Sequence, residues 1–221
     1  MAVTGTAGVV VVALGVALVA GHLGSARTPT EVGAEPSSGV TVPPDETPEQ
    51  RYARLSELLR TRVAAVLPGA TVTSKHPDHT DLFGEDPLTG FPGYDYAAAP
   101  VEVAAPQGSM DLMVLVVRPL TAPLPQPTAG VGGRLFGGCA GQWSTSTPDM
   151  SDQDTCTDRE GPGGTAVSIA KRHSEEVSPI LFVTVAFPDG GVVTVITDPA
   201  ATLLSPDDLV EIFADPGFVA R

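Results

Sequence analysis

The first 26 residues contain no Asp, Glu, Lys or Arg, so all 12 basic and 26 acidic residues of the chain lie beyond them. The core of that stretch, Val9-Val10-Val11-Val12-Ala13-Leu14-Gly15-Val16-Ala17-Leu18-Val19-Ala20, is apolar all round and lacks helical periodicity. Its length is close to the roughly 20 residues that cross a bilayer's hydrocarbon core. We therefore expect residues 1–26 to form a transmembrane helix or signal anchor, with the lipid bilayer as the chain's first partner. A cleaved signal peptide competes with this reading, because small residues at Ala20-Gly21 and Gly24-Ser25-Ala26 offer cleavage points. Signal peptides begin with a basic segment, however, and none precedes this run. A buried core helix would also be apolar all round. No Cys lies near the end of the run, which disfavours a lipoprotein.

Basic residues are scarce throughout, and the net charge is −14. Phosphate backbones require a basic face, so nucleic acid is disfavoured as a partner. Docking on anionic lipid is disfavoured for the same reason. Orientation by the positive-inside rule rests on Arg27 alone, offset by Glu31 and Glu35, and taken literally it places the large domain inside. The cysteines and the linker argue for outside. The missing basic segment suggests that the start of translation lies upstream.

Cysteine is nearly absent. Cys139 and Cys156 have no Cys-x-x-Cys or histidine spacing suited to zinc. In an anchored chain such a pair is expected to be a disulfide in an oxidising compartment, stabilising by roughly 3 kcal/mol. The alternative is two free, buried thiols in a cytosolic domain. Cys139 as a nucleophile would need a histidine. His76, His79 and His173 are available, and no family motif surrounds them. The chain also lacks a Gly-x-Ser-x-Gly elbow, a phosphate-binding Gly-x-x-x-x-Gly-Lys loop and a His-Glu-x-x-His helix. No catalytic constellation or cofactor motif is present, which favours a binding protein over an enzyme.

Aromatic residues make up only 5% of the chain, against 24 Gly and 22 Pro, so many turns and long connections are expected. Residues 27–45 have the Pro, Ser, Gly and Glu of an extended linker. One domain is expected over residues 46–221. Thr47, Pro48 and Gln50 form a helix-starting capping box. Leu55, Leu58, Leu59, Val63 and Val66 then recur at helical spacing, with Arg51, Arg54, Glu57, Arg60 and Arg62 as the polar remainder. A sharper reading makes that remainder a basic face for a partner. Pro68-Gly69 stops the helix.

Strands are expected at residues 70–75, 94–103, 111–118 and 165–171, with a turn at Gln107-Gly108-Ser109. Met110 to Val117 is apolar enough for burial on both faces. Asp111 reads as a cap at a strand entrance, and the Pro- and Gly-rich residues 119–133 as a long connection. Residues 137–164 read as a loop pinned by the cystine, with Trp143 as a packing anchor. Pro188-Asp189-Gly190-Gly191 joins two β-branched runs, 180–187 and 192–197, as a hairpin whose first strand is interior to the sheet. Ser205-Pro206-Asp207-Asp208 starts a last helix with Leu209, Ile212 and Phe213 inward, closed by Pro216-Gly217. The fold class is thus α+β: an antiparallel meander sheet with an N-terminal and a C-terminal helix on one face.

Two weak chemical clusters remain. His76, His79 and Asp81 gather histidine and carboxylate as a divalent metal would need, within an irregular loop. Asp81 and Glu85 could serve as acid and base in an envelope hydrolase.

The hairpin Pro188-Asp189-Gly190-Gly191-Val192-Val193-Thr194-Val195, the terminal run from Ser205 to Pro216 and the paired cysteines resemble the outer domains of actinobacterial membrane-anchored proteins, some of them anti-sigma-like. The resemblance covers roughly the last third of the chain and its anchor-and-linker plan. It implies a single-pass cell-membrane protein with an extracytoplasmic domain that binds or senses an envelope protein or ligand. An anti-sigma factor would also need a sigma-binding cytosolic segment ahead of Met1. The remaining alternative is a secreted inhibitory or structural module released by signal cleavage.

Overall fold

The computed structural model describes residues 46–76, 81–84, 94–119, 138–139, 155–173, 179–201 and 203–220. All belong to the second of the two units into which the chain divides, Pro36–Arg221. The expected anchor and linker lie outside the described residues. Among the described residues no helix is long and apolar enough to cross a membrane.

The domain is α+β, as its element pattern implies. Helix α1 (Pro48–Val66) is followed by strands β1 (Thr71–Ser74), β2 (Tyr94–Ala105), β3 (Gly108–Pro119), β4 (Thr155–Glu160), β5 (Ala166–Arg172), β6 (Ile180–Ala186) and β7 (Val192–Thr197), then helix α2 (Pro206–Phe213). A short 3-10 turn, Pro216–Phe218, follows α2. All seven strands join one antiparallel sheet in the order β1-β2-β3-β7-β6-β5-β4.

That order corrects the simple meander. Two meanders, β1 to β3 and β4 to β7, are joined where β3 pairs with β7. The long connection after β3 lets the chain restart at the far edge, and the second meander then returns to the centre. The physical reason lies in the residues. β3 and β7 are the two strands richest in buried valine, and pairing them places that surface in the middle of the sheet.

Strand alternation sorts the side chains onto two faces. In register, Val101, Val103, Val114, Val116, Val195, Val193, Val183 and Val185 fall on one face, all fully buried. Helix α1 brings Leu55, Leu59 and Val63 to this core, and α2 brings Leu209, Ile212 and Phe213. Both helices also touch each other. Each starts with a reciprocal capping box, Thr47 with Gln50 and Ser205 with Asp208. Such a cap contributes about 1 kcal/mol.

The hairpin is where the sequence places it. The Phe187 N–H donates to the Gly191 carbonyl across the turn at 2.8 Å. Gly191 has a packing reason as well: a Cβ there would lie 2.5 Å from the Val219 Cβ. The β2–β3 turn differs from expectation. It is the two residues Pro106-Gln107, and Gly108 already pairs with Ala105. Met113 points to the second face and stays exposed, whereas Val117 further along that face is buried, so β3 is buried on both faces only toward its end.

Candidate functional site

Two polar constellations stand out against this apolar frame, one on each face of the sheet. The first lies on the face away from the helices. The pairings Cys156↔Ala170 and Asp158↔Ser168 put Cys156, Asp158 and Ser168 together on that side. Cys139 forms a disulfide with Cys156, their Cα atoms 5.7 Å apart. The Cys139 N–H donates to Asp158 Oδ1 at 3.0 Å, and the Ser168 hydroxyl donates to the same oxygen at 2.7 Å. Gly138 (φ +58°) runs so close that a Cβ would sit 3.0 Å from Asp158 Oδ1. Glycine supplies both the left-handed backbone and the clearance. The covalent bond and the carboxylate together fasten residues 138–139 to edge strand β4. Deeper on the same face, the Thr184 and Thr194 hydroxyls meet at 3.3 Å, both buried.

The second constellation sits at the rim of the helix-covered core, where β2 begins and β3 ends. Asp95 and Arg118 are direct cross-strand partners. Arg118 Nε donates to Asp95 Oδ2 at 2.7 Å, and its Nη1 donates to the Ala220 carbonyl at 3.0 Å. From α1 above, Arg51 Nη1 approaches Asp95 Oδ1 at 2.5 Å. One carboxylate thus serves two guanidinium groups. The side chains of Arg51, Arg118 and Asp95 are 3%, 16% and 30% exposed, so the cluster reaches solvent through Asp95 and Arg118 while Arg51 lies inside. Burial pushes the Arg51 guanidinium below its ordinary value, Asp95 opposes the shift, and Arg118 reinforces it. A guanidinium nevertheless stays charged in proteins. Its Nε and Nη2 are buried and have no partner among the described residues.

Neighbouring arginines of α1 are spent on structure. Arg54 grips Glu46 with Nε and Nη2, at 2.6 and 3.0 Å, and gives Nη1 to the Gly217 carbonyl. Arg62 pairs with buried Asp215. These bonds tie the chain's last residues to α1 and leave little of a free basic docking face.

Of the expected metal residues, His76 is exposed just beyond β1, with its N–H donating to the Ser74 hydroxyl. Asp81 is half-buried ahead of Leu82 and Phe83, which the Ser56 hydroxyl holds against α1 by accepting their N–H groups. His79 lies outside the described residues, as do Glu85 and Trp143. Among the described residues the one grouping of three ligand-type side chains is Cys139, Cys156 and Asp158, and the cystine occupies both thiols. Asp111 is not a cap but an exposed ion-pair partner of Lys75, at 2.5 Å. A half-open, largely apolar cleft of about 340 Å³ lies between the hairpin turn and the C-terminal turn, lined by Phe187, Pro188, Pro216 and Val219 with Asp189 among them.

No family model, curated protein or solved structure matches the chain.

Reading by side-chain type places Arg51 on the wet face of α1. Its position gives the opposite answer, since it lies four residues before Leu55 and seven before Leu58, on the same helical stripe. That spacing is the signal that finds it. Asp95 and Arg118 show nothing of the kind in sequence, because only the β2–β3 register brings them together.

Proposed function

We propose that the chain is a membrane-tethered, extracytoplasmic binding domain that recognises a ligand or envelope protein without transforming it. The cystine carries this reading. Disulfides persist where the compartment is oxidising, and here Cys139–Cys156 holds a distant segment to an edge strand with an aspartate buttress. The uncharged residues 1–26 supply the tether and residues 27–45 the spacer. The anti-sigma-like resemblance adds a signalling role, in which occupancy of the outer domain is reported across the membrane.

Fractionation of cells expressing the full chain, followed by protease treatment of intact spheroplasts, tests the reading. The account expects the chain in the membrane fraction and digestion of the domain from outside. Release into the medium with a mature terminus near residue 27 would favour the secreted module. Membrane-bound but protected protein would reverse the orientation and refute the proposal.

A further inference from the structure

We propose that the free Nε/Nη2 edge of Arg51 receives a small oxyanion: the carboxylate or phosphate group of a ligand from outside the chain. The unsatisfied atoms are the two parallel donors of one guanidinium edge, and both are buried. That edge matches the two oxygens of a carboxylate or phosphate. The same helix shows the match three residues on, where Arg54 holds the Glu46 carboxylate with this pair of atoms. Charge points the same way. Arg51, Arg118 and Asp95 sum to one surplus positive charge at the core's rim, in a chain of net charge −14. A buried donor left without a partner costs stability, and more so when charged. One bound oxyanion would satisfy both donors and neutralise the surplus together.

Asp95 and Arg118 shape the receptor. Asp95 takes Nη1 of Arg51 and Nε of Arg118, which fixes the Arg51 plane and leaves its other edge pointing away from the carboxylate. The acidic surface elsewhere would repel multiply charged anions at long range. A compact group carrying one or two charges therefore fits better than a polyanion.

The inference deepens the binding reading and rests on it only for where the ligand is met. Because binding is measured on purified protein, its failure is separate from a failure of localisation. The full chain in neutral detergent is titrated separately with sodium phosphate and sodium acetate, with ionic strength held constant by sodium chloride. Thermal unfolding and the 15N signal of the Arg51 Nε–H are followed. The expected result is a saturable shift of that signal and a rise in Tm of about 3–5 °C at ten times the dissociation constant. Response to phosphate alone or acetate alone identifies the class of group. Arg51→Lys keeps the charge but not the fork and should abolish the response, whereas Arg60→Lys should retain it. Equal stabilisation by chloride, no shift of the Nε–H signal, or an Arg51 Nε–H already bonded to a carboxylate of this chain would each overturn the proposal. The wild-type NMR titration stays decisive even if Arg51→Lys fails to fold.

Discussion

Asp95 carries more of the fold than a single rim carboxylate usually does. It is the shared counter-charge of Arg51, which is 3% exposed, and of Arg118. Removing one partner of a buried ion pair strands the other charge, which typically costs 3–5 kcal/mol. Asp95→Asn would keep the shape of the side chain and leave two guanidinium groups facing each other. We expect a loss of roughly 3 kcal/mol, at the low end because Asp95 is partly solvated. Urea unfolding at neutral pH measures it; a loss under about 0.5 kcal/mol, as for an ordinary surface substitution, would show that solvent screens the cluster. At this scale the sequence was legible for the two helix caps, whose chemistry is local. Thr47, Gln50, Ser205 and Asp208 do what their spacing implies. It was not legible for Asp95 and Arg118, 23 positions apart, whose meeting depends on a strand register.

Among the elements, α1 offers a pH test. Glu49 lies in its first turn, and its carboxyl is held below its ordinary value by the backbone N–H of Glu49 itself and then by the Thr47 side chain. A depressed carboxyl stabilises the fold above its unfolded value, and that contribution is lost as pH falls through the folded value. NMR titration should therefore place the Glu49 midpoint below that of an unstructured glutamate. Thr47→Ala should move it upward and cost about 1 kcal/mol from the lost cap. An unmoved midpoint would assign the shift to the helix backbone alone. Elements with strong period were readable: α1, the β6–β7 hairpin and α2 stand where apolar spacing and turn residues put them. β4 was missed because Thr-Cys-Thr-Asp-Arg-Glu is an edge strand, exposed along nearly its whole length, with no apolar alternation to read. The β3–β7 junction was hidden for a different reason. Hairpins are encoded by their own turns, whereas the pairing of two meanders is decided by which apolar strands bury each other best.

The whole molecule combines a strong net negative charge, an uncharged first stretch and one cystine. The charge of −14 opposes binding to phosphate backbones, while the Arg51–Asp95–Arg118 rim is a local positive exception. The proposed localisation rests on the cystine more directly than on any other feature, because a thiol pair in a reducing compartment would be kept open. The most direct measurement is thiol trapping in intact cells: alkylation of Cys139 and Cys156 with and without a reductant, read by mass spectrometry of the full chain. The account predicts that neither cysteine is labelled until reduction and that both are labelled after it. Labelling of both cysteines without reduction would contradict the extracytoplasmic assignment and move the search for partners to the cytosol.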